Sequence, residues 1–214
     1  MRAEMAAATV RRVPSQALSR WRRERRGVLD SLEAIHAQVT GGRRGRQAAT
    51  EHLNLALFVR LAAEFQGFCR DLHDDAAIRI TDGLPTEFAG RVPVFLGVLV
   101  NNRKLDRGNA APGSLGADFG NLGMSLWPTI YAKYPTQGLR WNRVLERLNQ
   151  VRNAVAHSDT VKLAQAKQAQ PLTLTTFRRW RGSVNAAAGG LDAVVGAYLE
   201  DLTGALAWDV GVGG

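Results

Sequence analysis

One cysteine, Cys69, in 214 residues excludes an intrachain disulfide and any zinc site built from thiolates. It lies in an apolar helical stretch, where a small buried thiol is the ordinary reading, and a reducing cytoplasmic compartment is expected. Long hydrophobic runs are also missing. The longest uncharged ones, Leu53–Val59 and Val92–Val100, fall well short of the ~20 residues a membrane span needs. Nor does an apolar segment follow Arg11 and Arg12 that could act as a secretion signal, because the charge run Arg20 to Arg26 comes next. Lysine is scarce as well. The net charge of +9 rests on arginine, since Lys104, Lys133, Lys162 and Lys167 are the lysines among 28 basic residues. Arginine's planar fork suits phosphate, so a nucleic-acid partner is one reading of the charge, and the composition of a GC-rich genome is the other.

What is present is helical periodicity. Ser15 can cap a stripe of Leu18, Trp21, Val28, Leu32, Ile35 and Val39 that stops at Gly41 and Gly42. After the basic turn Arg43-Arg44-Gly45-Arg46, a second stripe runs Leu53, Leu57, Leu61, Phe65, Phe68 and Leu72, widened by neighbours towards full burial. A third helix is expected over about Leu139 to Ala156. A fourth follows Pro171, capped by Thr173 or Thr175, with a stripe from Phe177 to Leu202. No strand alternation and no fixed repeat interrupts them. The expected class is all-α, an up-and-down bundle. Residues 1–14 read as a basic tail, 15–206 as one domain, and 207–214 as a flexible Gly-rich tail. Within the domain, 83–135 reads as an irregular Gly-rich insertion, in which Pro93 opens a short helix to Val100 and Asp118 caps another to Tyr131.

Those glycines do not make a phosphate cradle. Gly113, Gly116, Gly120 and Gly123 fit neither the dinucleotide fingerprint nor the P-loop, and Asp118-Phe119-Gly120 stands without any other kinase element. His73-Asp74-Asp75 with Glu64 offers metal-binding residue types, but neighbours on a helix point in different directions, so the triplet reads as a solvated helix end. No metal or cofactor is expected. His36 and His52 read as structural or solvated.

Helix three closes with Leu148-Asn149-Gln150-Val151-Arg152-Asn153-Ala154-Val155-Ala156-His157. At 100° per residue Arg152 sits about 40° from Leu148 and about 60° from Val155, within the apolar stripe. A buried guanidinium needs an acidic partner, a cleft or a subunit interface. His157 lies about 140° further round a continuous helix, so the two side chains converge if the helix ends near Ala156 or if a two-fold axis joins two copies.

In Arg152-Asn153-Ala154-Val155-Ala156-His157 the chain resembles the HEPN superfamily of helical ribonucleases and toxins, whose motif is an arginine, a polar residue and a histidine four to six positions on. A long final helix after Leu172-Thr173-Leu174-Thr175 matches the RiboL-PSP type of that superfamily. Asp159 stands where one toxin subgroup has a modifiable tyrosine, which argues against that mode of control. The resemblance implies a metal-independent endoribonuclease acting as a homodimer, with two motifs in one cleft, in toxin or anti-phage defence, and an antitoxin or similar partner. It assigns proton transfer to His157, phosphate binding to Arg152, orientation or donation to Asn153, and an acidic partner for Arg152 to the segment Leu61 to Phe68, where Glu64 is the candidate. Cleavage by the RNA's own 2′-OH needs a base, an acid and positive charge on the phosphate, which these residue types can supply. Two rival classes remain: a catalytically silent nucleic-acid- or nucleotide-binding module, and a purely structural dimerisation bundle.

Overall fold

The computed structural model describes residues 13–41 and 50–208; the basic turn at 43–46 and the tail residues 1–12 and 209–214 lie outside them. Every regular element among the described residues is helical, so the chain is all-α. Helix α1 (Gln16–Arg20) begins at Ser15, whose hydroxyl accepts the Leu18 N–H. It continues through a π-helical turn, Trp21–Arg25, into α2 (Arg26–Thr40), which ends on left-handed Gly41. In the π turn the Arg26 N–H donates to the Trp21 carbonyl, five residues back, so the turn holds one residue more than an α-helix would. The inward face after it is therefore displaced by one position. Leu29 and His36 are buried in place of the expected Val28 and Ile35, and Ile35 and Val39 are exposed.

Helix α3 (Glu51–Asp82) is the axle. It runs ten residues beyond Leu72, the last member of the expected stripe, and buries Phe58, Leu61, Phe65, Phe68, Leu72 and Ala76. Helices α1, α8 (Pro135–Ala156) and α10 (Leu174–Thr203) pack around it. Trp21 meets the rings of Phe65 and Phe68 at centroid distances of 6.1 and 5.7 Å, and Phe58 meets Phe177 and Trp180 at 5.8 and 5.1 Å. Helix α10 runs antiparallel to α1 and α2: Arg178 pairs with Glu33, Asn185 accepts from the Trp21 indole, and Asp192 accepts the Ser15 N–H. Thr173 caps α10 by accepting the Thr176 N–H, as one of the two expected caps. No helix among the described residues is long and apolar enough to cross a membrane.

The segment 83–135, expected to be irregular, is mostly helical and belongs to the same core. It holds a 3₁₀ turn (Thr86–Arg91), α4 (Val92–Val100), α5 (Lys104–Arg107), α6 (Pro112–Asn121) and α7 (Leu126–Lys133). Its breakers sit mainly where helices start and stop: Pro93 and Pro112 in first turns, Gly108 after α5, and left-handed Gly123 after α6. Leu105, Leu115, Phe119, Leu126 and Ile130 are fully buried. Asp118 does cap a helix, but a different one from that expected. It lies inside α6, and its carboxylate accepts the Lys104 and Leu105 N–H groups at 2.8 Å each, closing the start of α5. At the far end, Ala207 is buried and Trp208 lies against Gly196, so ordered packing continues two residues into the expected tail.

Candidate functional site

Helix α8 starts at Pro135, earlier than expected, and turns Trp141, Leu145, Leu148, Val151 and Ala154 into the core. That buried stripe is centred on Val151 and Ala154, not on Val155, so Arg152 falls on its flank and is half-buried. The helix ends at Ala156. His157 is the C-cap residue, exposed, with its N–H on the Asn153 carbonyl at 3.0 Å. The Asp159 N–H reaches back to the Ala154 carbonyl at 2.8 Å while Ser158 adopts a left-handed φ of 52°, a closure usually built on glycine. Asp159 then caps α9 (Thr160–Ala169): its carboxylate accepts the Lys162 N–H, and that bond holds its pKa below the ordinary value. The helix end needed for Arg152 and His157 to approach each other is thus present, and a three-residue link turns the chain sharply there.

Arg152 Nη1 donates to Asn153 Oδ1 at 3.1 Å, and Asn109 Nδ2 donates to the same oxygen at 2.9 Å. Among the described residues Arg152 has no carboxylate partner. The expected pairing with Glu64 is not made. Glu64 is buried on the opposite side of α3, where it accepts from Arg25 at 3.0 Å and from Arg60 one turn earlier. The reason is rotation: the residue of α3 that reaches towards the motif is Gln66, about 200° from Glu64. Gln66 Nε2 donates to the Leu105 and Gly108 carbonyls at 2.7 and 2.8 Å, fixing the turn that leads into Asn109.

The arginine with acidic partners that the sequence places on Arg152 is found elsewhere, at half-buried Arg25 and buried Arg103. Arg25 lies across Gly67, whose missing side chain leaves the guanidinium its room, and bridges Glu64 and Asp71. Burial works against its charge, but the bonds to Asp71 and Glu64 outweigh this and hold its pKa above the ordinary value. Arg103, between α4 and α5, bridges Asp74 and Asp106 in the same way. It also abuts His73, which is fully buried and not the solvated helix end expected. Within the triplet, His73 faces the Asp118 carbonyl at 3.0 Å, Asp74 faces Arg103, and Asp75 accepts the Ala17 N–H at 2.8 Å. They diverge, as adjacent helical residues must. Burial first, and then Arg103, hold the His73 pKa below its ordinary value. Nε2 of its neutral ring donates to the carbonyl and Nδ1 accepts from Arg103. Cys69 is buried, which pushes its thiol pKa well up and away from a reactive thiolate. His36 is buried against Asn54, and His52 is exposed. Among the described residues no group of three or more His, Cys, Asp or Glu is placed to hold a metal ion.

Asn109 is the residue that sequence reasoning missed. Gly108-Asn109 reads as a turn, and a turn asparagine carries no signal of a partner 44 positions away. The chain matches no protein-family model, no curated protein and no solved structure. The end of α8 is thus defined by its chemistry: a guanidinium without a carboxylate, an amide and an exposed imidazole, all within the last turns of one helix.

Proposed function

We propose that the protein is a metal-independent endoribonuclease of the HEPN kind, with Arg152, Asn153 and His157 forming its working residues in a homodimer cleft. The observation that carries this reading is the state of Arg152. Arg25, Arg103 and Arg181 lie among the packed helices and are each met by two carboxylates, Arg25 by Glu64 and Asp71, Arg103 by Asp74 and Asp106, and Arg181 by Asp30 and Glu33, while half-buried Arg20 meets Asp71 alone and half-buried Arg79 meets the Leu206 carbonyl. Arg152 keeps its charge uncompensated on a half-buried flank, which suits an anion supplied from outside.

In the reaction, His157 takes the proton of a 2′-OH and the freed oxygen attacks the adjacent phosphorus. The bond to the 5′ oxygen breaks, and that oxygen takes a proton from an imidazolium of the second motif. Arg152 donates to the phosphate oxygens as charge builds. The products are a 2′,3′-cyclic phosphate and a 5′-OH. DNA lacks the nucleophile and survives. Glu64 is given no role in these steps, since it pairs with Arg25 and Arg60 and not with Arg152. Such an activity needs restraint in the cell, and a dedicated partner protein is the form the resemblance suggests.

The test is cleavage of a fluorescent RNA in EDTA by wild type, Arg152→Ala and His157→Ala, with a DNA of the same sequence as control. Cleavage of RNA by wild type alone, giving cyclic-phosphate ends, is the expected result. RNA binding without cleavage would favour the silent-binder reading. Equal cleavage by all three proteins would sink the site assignment.

A further inference from the structure

The turn between α5 and α6 supplies a residue to the end of α8. Asn109 is held at both ends of its amide. Its Oδ1 accepts the Ala111 N–H at 3.2 Å, which turns Nδ2 towards α8, where it donates to Asn153 Oδ1 at 2.9 Å. Arg152 Nη1 donates to that same oxygen at 3.1 Å. Asn153 therefore has its acceptor end occupied twice, and its Nδ2, on a half-buried side chain, has no acceptor among the described residues. An amide whose oxygen is pinned presents its NH₂ group outward beside the guanidinium. Behind Asn109 the turn is itself fixed, by Gln66 through the Leu105 and Gly108 carbonyls and by Asp118 through the Lys104 and Leu105 N–H groups. A chain of polar contacts thus runs from the core helix α3 through the Gly-rich segment to Arg152.

We propose that Asn109 is a positioning residue, which fixes the flip of the Asn153 amide and the angle of the Arg152 guanidinium so that both present N–H donors to one phosphodiester. This rests on the ribonuclease reading of the same site. It gives the segment 83–135 a role that neither its composition nor its glycine spacing suggests. An unpinned Asn153 would turn its oxygen outward part of the time and repel the anion.

The test is steady-state RNA cleavage by full-length wild type, Asn109→Ala, Asn109→Asp, Asn153→Ala and the double variant Asn109→Ala/Asn153→Ala, with melting temperatures alongside. Asn109→Asp is the sharper variant, because its carboxylate still accepts the Ala111 N–H but cannot donate to Asn153. Asn109→Ala should lower kcat by about 30- to 100-fold with KM within about 3-fold, as expected of misoriented groups, and Asn109→Asp should lower kcat at least as far and raise KM as well, because its carboxylate stands beside Arg152. In the Asn153→Ala background, losing Asn109 should cost nothing further, since its action passes through that amide. Wild-type rates in the Asn109 variants would overturn the positioning role while leaving the ribonuclease reading intact. An equal loss in the Asn153→Ala background, or unfolding of both Asn109 variants, would make Asn109 a structural residue and overturn it too. An inert wild type would overturn the ribonuclease reading, and the positioning role with it.

Discussion

Arg25 and Arg152 are both half-buried on their helices, and they are treated in opposite ways. Arg25 lies over Gly67 and bridges Glu64 and Asp71, which Arg60 and Arg20 also meet, so three guanidiniums share two carboxylates. Arg152 has one neutral amide oxygen. In the first place ion pairs join the π turn to α3; in the second the guanidinium has no carboxylate among the described residues. On this contrast Arg25 is a residue that holds the fold together, and the proposed function gives Arg152 to a ligand.

The contrast can be broken most severely at Arg25. Arg25→Met leaves partly buried Glu64 and Asp71 with Arg60 and Arg20 alone. We expect a loss of about 2–3 kcal/mol in urea unfolding, below the range for fully buried pairs because the Arg25 side chain retains 22% exposure. Gly67→Ala attacks the same place from the other side, since the new methyl falls on the Arg25 guanidinium. A cost of about 1–2 kcal/mol is expected, and less than 0.5 kcal/mol would mean that Arg25 can move aside without losing its partners.

Acidification gives a smaller effect, through His73. Its folded pKa lies below the ordinary value near 6.5, so the neutral ring's contribution is complete above about pH 6.5. It is lost as pH falls from there towards the folded value, because the unfolded chain takes up the proton first. Asp75 and Asp192, both raised mainly by burial, act in the opposite sense in the carboxylate range, so the measurement belongs between pH 7.5 and 5.5. Stability should fall across that interval, and His73→Asn should flatten the slope. The smallest effect is the other half of the contrast: Arg152→Ala should change unfolding free energy by less than about 0.5 kcal/mol, since it breaks no ion pair. A loss as large as that of Arg25→Met would erase the distinction on which the functional reading stands.

The helical class and the stripes of α3, α8 and α10 were legible because three- and four-residue spacing survives wherever a helix is regular. The order within 83–135 was not, since glycine and proline mark helix ends as readily as loops, and Asp118 caps a helix that precedes its own in sequence. Helix α9 escaped because its face is weakly patterned, with Val161 exposed. At the end of α8, the helix end at Ala156 could be read. The partners could not. Glu64 and Gln66 differ by two positions and face opposite ways, and Asn109 meets Asn153 only because Gln66 holds its turn in place.

The π-helical turn at Trp21–Arg25 bears on how this chain could vary in length. Ala17 and Leu18 before it, and Leu29 and His36 after it, face inward across a stretch that holds one residue more than regular α-helix would use. Excising one exposed residue there, such as Arg23, would relax the turn to ordinary helical pitch and leave both sets in register. The same excision within α3 would rotate everything beyond it by about 100° and turn Gln66 or Arg70 into the core. Among single-residue deletions inside the helices, one between Trp21 and Arg25 should therefore cost the least stability.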